Sequence, residues 1–538
     1  MGAIKNFLVL FILFVSTTTS AQINRYVIHF TDKNNSEFTI NNPSAFLSER
    51  SLTRRIKNNV SVTEQDFPVT KLYVNELENE GVNVFYTSRW FNVAIVEMDV
   101  SLITIIEDLA FVSEVEYVAP GTKLNGRSVD YESKNTKNRT TAGESDFQIN
   151  YMGADEMHDD GFKGNGILIA VTDAGFTNLN NISQFTHLYT NGKILYTFDY
   201  TVNDINVYLH DDHGTEVFST MGAFDSGFTG SAPEADYMLF VTEDINSEFR
   251  IEEYNWLLAA EFADSAGVDI INASIGYNTF TDASMNYTYE DLDGNTTVIS
   301  RAAAIAASKG ILVVTGSGNE GNTNWRNVLA PGDVETVLTV GSVTGNGNIS
   351  SFSGVGPTSD GRIKPDLVAL GSNVAVINET GNIINRSGTS YSAPQLAGLA
   401  AGLMQAYPEM TVAGLIDYLK QSGSQSTAPD NTYGFGIPNY SIFVTLKSQV
   451  IPANYFQIYP NPVANGTLEL VSVNLLKEQS LEIRFLNTRG QVFNKFIRKM
   501  DVTNNSLTLD INFLPQGTYI MQIRTEGKSE SFRIIKAQ

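Results

Sequence analysis

The sequence predicts an α/β protein: a mainly parallel sheet sandwiched by helices, preceded by a small α+β unit and followed by a small all-β sandwich. Three observations carry this. Strand-like and helix-like stretches alternate between residues 146 and 448, the pattern of a helix-covered sheet. Several of those strands are continuous apolar runs, as in strands buried on both faces. After Pro452 the pattern becomes short strands separated by turn residues, as in a β-sandwich.

The elements follow in order. Lys5 precedes the apolar run 7–15, and small or polar residues continue to Ala21. That is the layout of a secretory signal peptide, expected at 1–21. The run is too short for a stable transmembrane anchor, and no other stretch is long and apolar enough for one. Residues 22–120 read as a compact unit with strands at 25–30, 92–97 and 115–118 and helices at 69–80 and 103–109. Residues 121–145 are polar, carry Lys134, Lys137 and Arg139, and are nearly free of large apolar side chains. Such a stretch reads as an exposed linker, where proteases nick. In 146–448 the strands are expected at 167–172, 237–241, 270–273, 311–315 and 337–340, and the helices at 213–223, 251–266, 298–309, 390–407 and 412–421. The sandwich, 453–538, has strands at 468–471, 481–486, 492–497, 506–511, 519–524 and 531–535.

Composition narrows the function. The 538 residues hold 59 acidic and 35 basic side chains, a formal charge of −24. That excess repels nucleic acid and anionic membranes and makes divalent cations plausible ligands. With no cysteine, disulfides, cysteine nucleophiles and thiolate metal sites are excluded.

Three segments of the α/β region carry chemistry. Ala170-Val171-Thr172-Asp173-Ala174-Gly175 is an apolar strand ending in a carboxylate; His213-Gly214-Thr215-Glu216-Val217 and Gly388-Thr389-Ser390-Tyr391-Ser392-Ala393-Pro394 each open a helix. Alone, each has a plainer use, as a turn residue or a helix cap. Together they supply what a serine nucleophile needs: a histidine to take its proton and a buried carboxylate to orient and stabilise that histidine. A helix start under Ser390 adds positive dipole near a developing oxyanion. Pro394 is expected in the first turn, where a backbone N–H lacks an intrahelical partner. Gly316-Ser317-Gly318-Asn319 follows a buried strand, and Asn319 offers a side-chain amide to the oxyanion beside the Ser390 N–H.

In this order, Asp173, His213 and Ser390 match the chain order of the subtilisin triad. Residues 146–444 resemble the catalytic domain of the subtilase family, and segments 351–354, 361–366 and 433–436 add to the likeness. The resemblance implies a subtilisin-like fold and hydrolysis of proteins or peptides through an acyl-enzyme on Ser390. It also implies a cleft lined by Ser274, Ile275, Gly276, Gly316, Ser317 and Gly318, with the substrate added as an extended strand. The small Gly276 and Gly316 suggest a roomy primary pocket for apolar or aromatic side chains. No cofactor is implied for catalysis; structural calcium is left open without assigned ligands. Three positions depart from the family pattern: Ala174 stands where Thr or Ser is usual, Glu216 where a second His is common, and Tyr391 where Met is usual.

Weaker signals are set aside. His210-Asp211-Asp212-His213 suggests a metal, but the chain has no His-Glu-x-x-His, and His213 is better used in the triad. Asp291-Leu292-Asp293-Gly294-Asn295 opens like a calcium loop but lacks the downstream bidentate Glu, so a plain turn is the better reading. A binding protein on the same scaffold has no chemical need for Asp173, His213, Asn319 and Ser390 together. An esterase of the α/β-hydrolase type is disfavoured, because Ser390 is not in Gly-x-Ser-x-Gly and the His precedes it.

The flanks complete the expectation. Residues 22–120 loosely resemble subtilase propeptides, which are folding chaperones and inhibitors; an adhesive or carbohydrate-binding domain is the alternative. Phe456-Gln457-Ile458-Tyr459-Pro460-Asn461-Pro462, the run 483–491, Leu514-Pro515-Gln516-Gly517-Thr518-Tyr519 and Lys536 resemble the C-terminal sorting domain of the type IX secretion system of Bacteroidota. A generic sandwich binding substrate or surface is the plainer reading. The partners implied are protein substrates, the chain's own propeptide and the type IX machinery. The destination is secreted or cell-surface, through the periplasm and across the outer membrane.

Overall fold

The computed structural model describes residues 22–121, 145–450, 456–472, 479–487, 492–500, 506–525 and 528–537. The expected signal peptide, and the expected linker apart from its two end residues, lie outside the described residues. By contacts the described residues form two compact units, 22–39 with 64–121, and 40–63 with everything from 145 onward.

In chain order the N-terminal elements are β1 (Ile23–Phe30), α1 (Glu49–Lys57), α2 (Lys71–Asn79), β2 (Asn83–Ser88), β3 (Val93–Asp99), α3 (Ile103–Glu107) and β4 (Val112–Pro120). The first unit is an antiparallel sheet in the order β2-β3-β1-β4. Alternate residues Tyr26, Ile28 and Phe30 of β1 and Ala94, Val96 and Met98 of β3 join Leu77 of α2 and Ile106 of α3 in one core, as the period of two dictates.

Helix α1 belongs by contacts to the second unit. Its buried face is not apolar. Arg54 and Arg55 both pair with Asp264, Arg55 Nη2 at 2.7 Å from Oδ2 and Arg54 on Oδ1. Arg54 also donates to the Val268 carbonyl at 2.7 Å, and Asn58 accepts the Val412 N–H at 2.8 Å.

The second unit continues with α4 (Asp146–Tyr151), α5 (Ala154–Asp159), β5 (Leu168–Asp173), α6 (Thr186–Thr190), β6 (Ile194–Asp199), α7 (His213–Gly222), β7 (Asp236–Val241), α8 (Ile251–Ala266), β8 (Ile270–Ala273), α9 (Val298–Ser308), β9 (Leu312–Gly316), β10 (Leu338–Val343) and β11 (Leu367–Leu370). The strands form a seven-stranded sheet in the order β11-β10-β9-β8-β5-β7-β6. Every pair is parallel. The inner strands β5, β8, β9 and β10 are buried at every residue, which is why apolar runs located them in the sequence. The hairpin β12 (Val374–Ile377) and β13 (Ile383–Arg386) leads to α10 (Thr389–Ala406), buried from Thr389 through Met404. Helices α11 (Val412–Gln421) and α12 (Tyr440–Val450) follow.

The sandwich comprises β14 (Phe456–Tyr459), β15 (Thr467–Ser472), β16 (Gln479–Leu486), β17 (Val492–Met500), β18 (Ser506–Asp510), β19 (Gly517–Thr525) and β20 (Lys528–Lys536). Sheets β14-β15-β18 and β17-β16-β19-β20 enclose a core that includes Leu468, Leu470, Ile483, Phe485, Met521 and Ile523. Asp160, just after α5, accepts Arg484 at 2.7 Å, pairs with Arg524, and accepts the Tyr440 hydroxyl at 2.9 Å.

Candidate active site

Ligand-binding residues of parallel sheets gather off the carboxyl ends of strands, and the sequence-predicted residues lie there. Asp173 ends β5 and is fully buried. Its Oδ1 accepts the Ala174 N–H at 2.8 Å and lies 2.8 Å from His213 Nδ1. With a proton on Nδ1, His213 donates to that carboxylate and leaves Nε2 to accept. His213 begins α7, where its own N–H donates to Asp211 Oδ1 at 2.7 Å. A Cβ on Gly214 would stand 3.0 Å from the Asp173 Cβ, so glycine there lets the helix start against the strand end.

Burial pulls the His213 pKa down. The Asp173 charge and hydrogen bond, with Glu243 and Asp211, outweigh it and move the pKa well above the usual value of 6.5. The side chain is 33% exposed, and solvent screens part of that push.

Ser390 is the second residue of α10 and is nearly buried. Its hydroxyl points to the Ser274 carbonyl at 3.5 Å, and no hydrogen bond joins it to His213 among the described residues. Long or misaligned contacts of this kind are common before substrate arrives. The His213 ring centroid is 5.9 Å from that of Tyr391, the residue after Ser390.

Pro394 corrects one expectation. It lies inside α10, beyond the first turn. A residue there would donate to the Ser390 carbonyl, four positions back; proline has no N–H to give. The Ser274 hydroxyl takes that carbonyl instead, at 3.0 Å.

Asn319 follows β9 and is exposed. Its Oδ1 accepts the Thr389 N–H at 2.9 Å and the Thr389 hydroxyl at 3.2 Å. This fixes the amide so that its NH₂ faces away from Thr389, a donor held without cost of reorganisation. Ser274, Ile275 and Gly276 follow β8. A Cβ at Gly276 would meet Leu329 at 3.0 Å, and one at Gly316, the end of β9, would meet Thr389 Oγ1 at 2.8 Å. Gly318 has φ +94° and backs onto the same Leu329. Ser317 turns inward, its N–H donating to Val340 and its carbonyl accepting from Leu329.

Two of the three departures are partners. The Tyr391 hydroxyl donates to Glu216 Oε2 at 2.8 Å, and Arg386 grips the same carboxylate at 2.8–3.0 Å. Each change alone looks like a loss of pattern; together they make one buried network behind His213. The other candidates scatter. His210 faces Asp199 at 3.4 Å, while Asp291 and Asp293 hold local turns. Among the described residues no three Asp, Glu or His side chains gather as metal ligands.

Comparison with known proteins gives the family. Residues 164–436 match the subtilase family, 25–139 the Peptidase S8 propeptide domain of Bacteroidota, and 457–537 a secretion system C-terminal sorting domain. Serine protease AprX of Bacillus subtilis (strain 168) is 28% identical over 309 residues, which cover 51% of this chain and 65% of AprX. Subtilisin DY of Bacillus licheniformis is 25% identical over 296 residues, 54% of this chain and 96% of that protein. The epidermin leader peptide processing serine protease of Staphylococcus aureus has a similar fold, with a TM-score of 0.55 at 17% identity over 80% of this chain and 100% of that one. The chain belongs to the subtilase family of serine endopeptidases.

Proposed function

We propose that the protein is a secreted endopeptidase that cuts peptide bonds through an acyl-enzyme on Ser390. The observation that carries this is the pairing of buried Asp173 with half-buried His213, 2.8 Å apart, together with the helix start that presents Ser390. Ser390 Oγ attacks the scissile carbonyl carbon as its proton passes to His213 Nε2. The imidazolium then gives that proton to the departing amine as the C–N bond breaks. Water, deprotonated by the same imidazole, hydrolyses the ester and restores the serine. Asp173 orients His213 and offsets the charge it gains. The Asn319 amide and the Ser390 N–H receive the oxyanion; loss of one such donor typically costs about 100–1,000-fold in turnover. No step uses a cofactor. Structural calcium remains a proposal without assigned ligands.

The flanks fit a secreted precursor. In this reading residues 1–21 direct export, 22–120 act as inhibitor and chaperone, 121–145 are cut, 146–448 carry catalysis, and 453–538 address the chain to type IX secretion across the outer membrane. What supports it is the propeptide and sorting-domain matches on either side of the subtilase match.

The experiment is a fluorophosphonate probe with Ser390→Ala as control, in a protease-poor host. Wild type should be labelled and should cleave casein; Ser390→Ala should fold, escape labelling and cleave nothing. Mass spectrometry of both then tests self-processing: Ser390→Ala should keep residues 22–120. A variant trimmed at the wild-type position would assign the cut to another protease, and equal turnover in the two proteins would overturn the nucleophile.

A further inference from the structure

Residues 242–254 hold five carboxylates, Glu243, Asp244, Glu248, Glu252 and Glu253, and one basic residue, Arg250. The stretch leaves β7, whose last residue pairs with Asp173 in the sheet, and runs into α8. The Thr242 N–H donates to the Asp173 carbonyl at 3.1 Å, so Glu243 stands immediately beyond the Asp173–His213 pair.

Arg250 Nε lies 3.9 Å from Glu253 Oε2, a single cation among five carboxylates. Glu253 accepts the Tyr287 hydroxyl at 2.7 Å and the Ile299 N–H at 3.0 Å. Arg250 lies over the rings of Tyr287 and Phe280, 5.2 and 5.8 Å from their centroids, and donates to the Met285 carbonyl at 2.7 Å. Glu243 Oε1, Glu252 Oε1, the Tyr277 hydroxyl and the Thr242 hydroxyl are buried with no hydrogen-bond partner among the described residues. Glu252 is 3% exposed and Tyr277 2%. Tyr277 follows Gly276 of the cleft, its ring stacked on Phe280 at 6.0 Å, and its hydroxyl feels the charges of Glu243, Glu252, Glu248 and Glu253. Exposure is graded, from exposed Glu248 through half-buried Glu243 to buried Glu252 and Tyr277. Buried polar atoms are nearly always paired, so four orphans on two neighbouring stretches of chain call for a partner.

We propose that this pocket receives the cationic side chain of a lysine or arginine close to the scissile bond of the peptide substrate. The inference rests on the peptidase reading above and names its substrate class. A cation is the ligand that satisfies carboxylate oxygens, and an ammonium or guanidinium brings three or five donors to them. A metal is disfavoured, because no three acidic or histidine side chains gather as ligands among the described residues. The chain itself offers a substrate of this kind. Its linker carries Lys123, Arg127, Lys134, Lys137 and Arg139 within a protein of net charge −24. Self-processing would bring one of them to the cleft. Burial, then the neighbouring charges, raise the carboxyls of Glu243 and Glu252, the latter to about 10. A bound cation relieves both effects.

The test scans Lys, Arg, Gln and norleucine through four positions on each side of the cut in an otherwise neutral peptide. At one position Lys or Arg should raise kcat/KM about tenfold or more over norleucine. Glu252→Gln, which keeps the shape of the side chain, should cut that ratio several-fold. So should Glu248→Gln, whose exposed site tolerates the change in folding. Protein that takes the fluorophosphonate label and cleaves the neutral peptide, yet shows a ratio near one at every position, overturns the pocket and leaves the peptidase reading standing. A ratio unchanged in both variants overturns it too. So does a melting temperature raised by calcium in wild type and not in Glu252→Gln, with equal rates on all peptides. Protein that neither labels nor cleaves overturns the peptidase reading, and the pocket with it.

Discussion

The α1 helix and the C-terminal sandwich are fastened to the catalytic region by the same device, two arginines on one aspartate, at different depths. At Asp264 the side chains of Arg54, Arg55 and the aspartate are 2%, 1% and 0% exposed. At Asp160 the values for Arg484, Arg524 and the aspartate are 14%, 20% and 7%. Depth decides what breaking the device does. Removing one partner of a buried pair strands an uncompensated charge, whereas near the surface water takes the place of the lost partner. The deep clamp is therefore part of folding, and the shallow one is an attachment that water can replace. The deep clamp lies on a helix within the stretch that matches a propeptide domain.

The sharpest way to break this contrast is Asp264→Ala. With Arg54 and Arg55 left without the carboxylate, stability should fall by about 3–5 kcal/mol. Urea unfolding of the Ser390→Ala precursor reads this free of self-digestion. A loss under about 1 kcal/mol would mean that depth does not separate the two clamps. Asp160→Ala comes next, with an expected loss of roughly 1–2 kcal/mol. Limited proteolysis should release the sandwich sooner while Ser390 still takes the fluorophosphonate. A loss as large as that at Asp264 would erase the distinction from the other side.

The smallest effect belongs to the third carboxylate pair, where a titratable base replaces the arginine. Burial lowers the His213 pKa, but the charges of Asp173, Glu243 and Asp211 outweigh it and push it up, with Tyr391, bonded to Glu216, beside the ring. The neutral base then appears only as pH rises past a raised pKa. The acid limb of kcat/KM should lie above 6.5, the ordinary value for histidine, so activity should increase into the alkaline range. Asp211→Asn removes one of these charges and should move the limb down by about half a unit, roughly 0.7 kcal/mol. A limb at or below 6.5 in wild type would show that solvent screening cancels the carboxylates.

Much of this was legible in the sequence where burial is apolar. The strands ending at Asp173, Ala273 and Gly316 and the helices starting at His213 and Thr389 were expected within a residue or two of their places. Apolar runs could not reveal α1, because its buried residues are Ser51, Arg54 and Arg55. They also passed over β2 and β6, edge strands that are only partly buried. Within the site, the residue types and their order were readable. The pairing of Tyr391 with Glu216 spans 175 residues and needs the fold to bring it about. The orphaned oxygens of Glu243 and Glu252 are likewise properties of the interior, since residue order alone does not distinguish them from solvated carboxylates.

The missing amide of Pro394 gives the molecule a mechanical property. A helix ordinarily bears the load of its own first carbonyls. Here the carbonyl of the proposed nucleophile hangs on Ser274, the first residue after β8 and of the proposed cleft wall. In the proposed reading, this bond ties wall to nucleophile, so strain from a badly fitting peptide would reach the attacking residue. Such a peptide should register as slow chemistry more than as weak adhesion. Under that reading, discrimination would work by timing, with loosely held proteins leaving uncut.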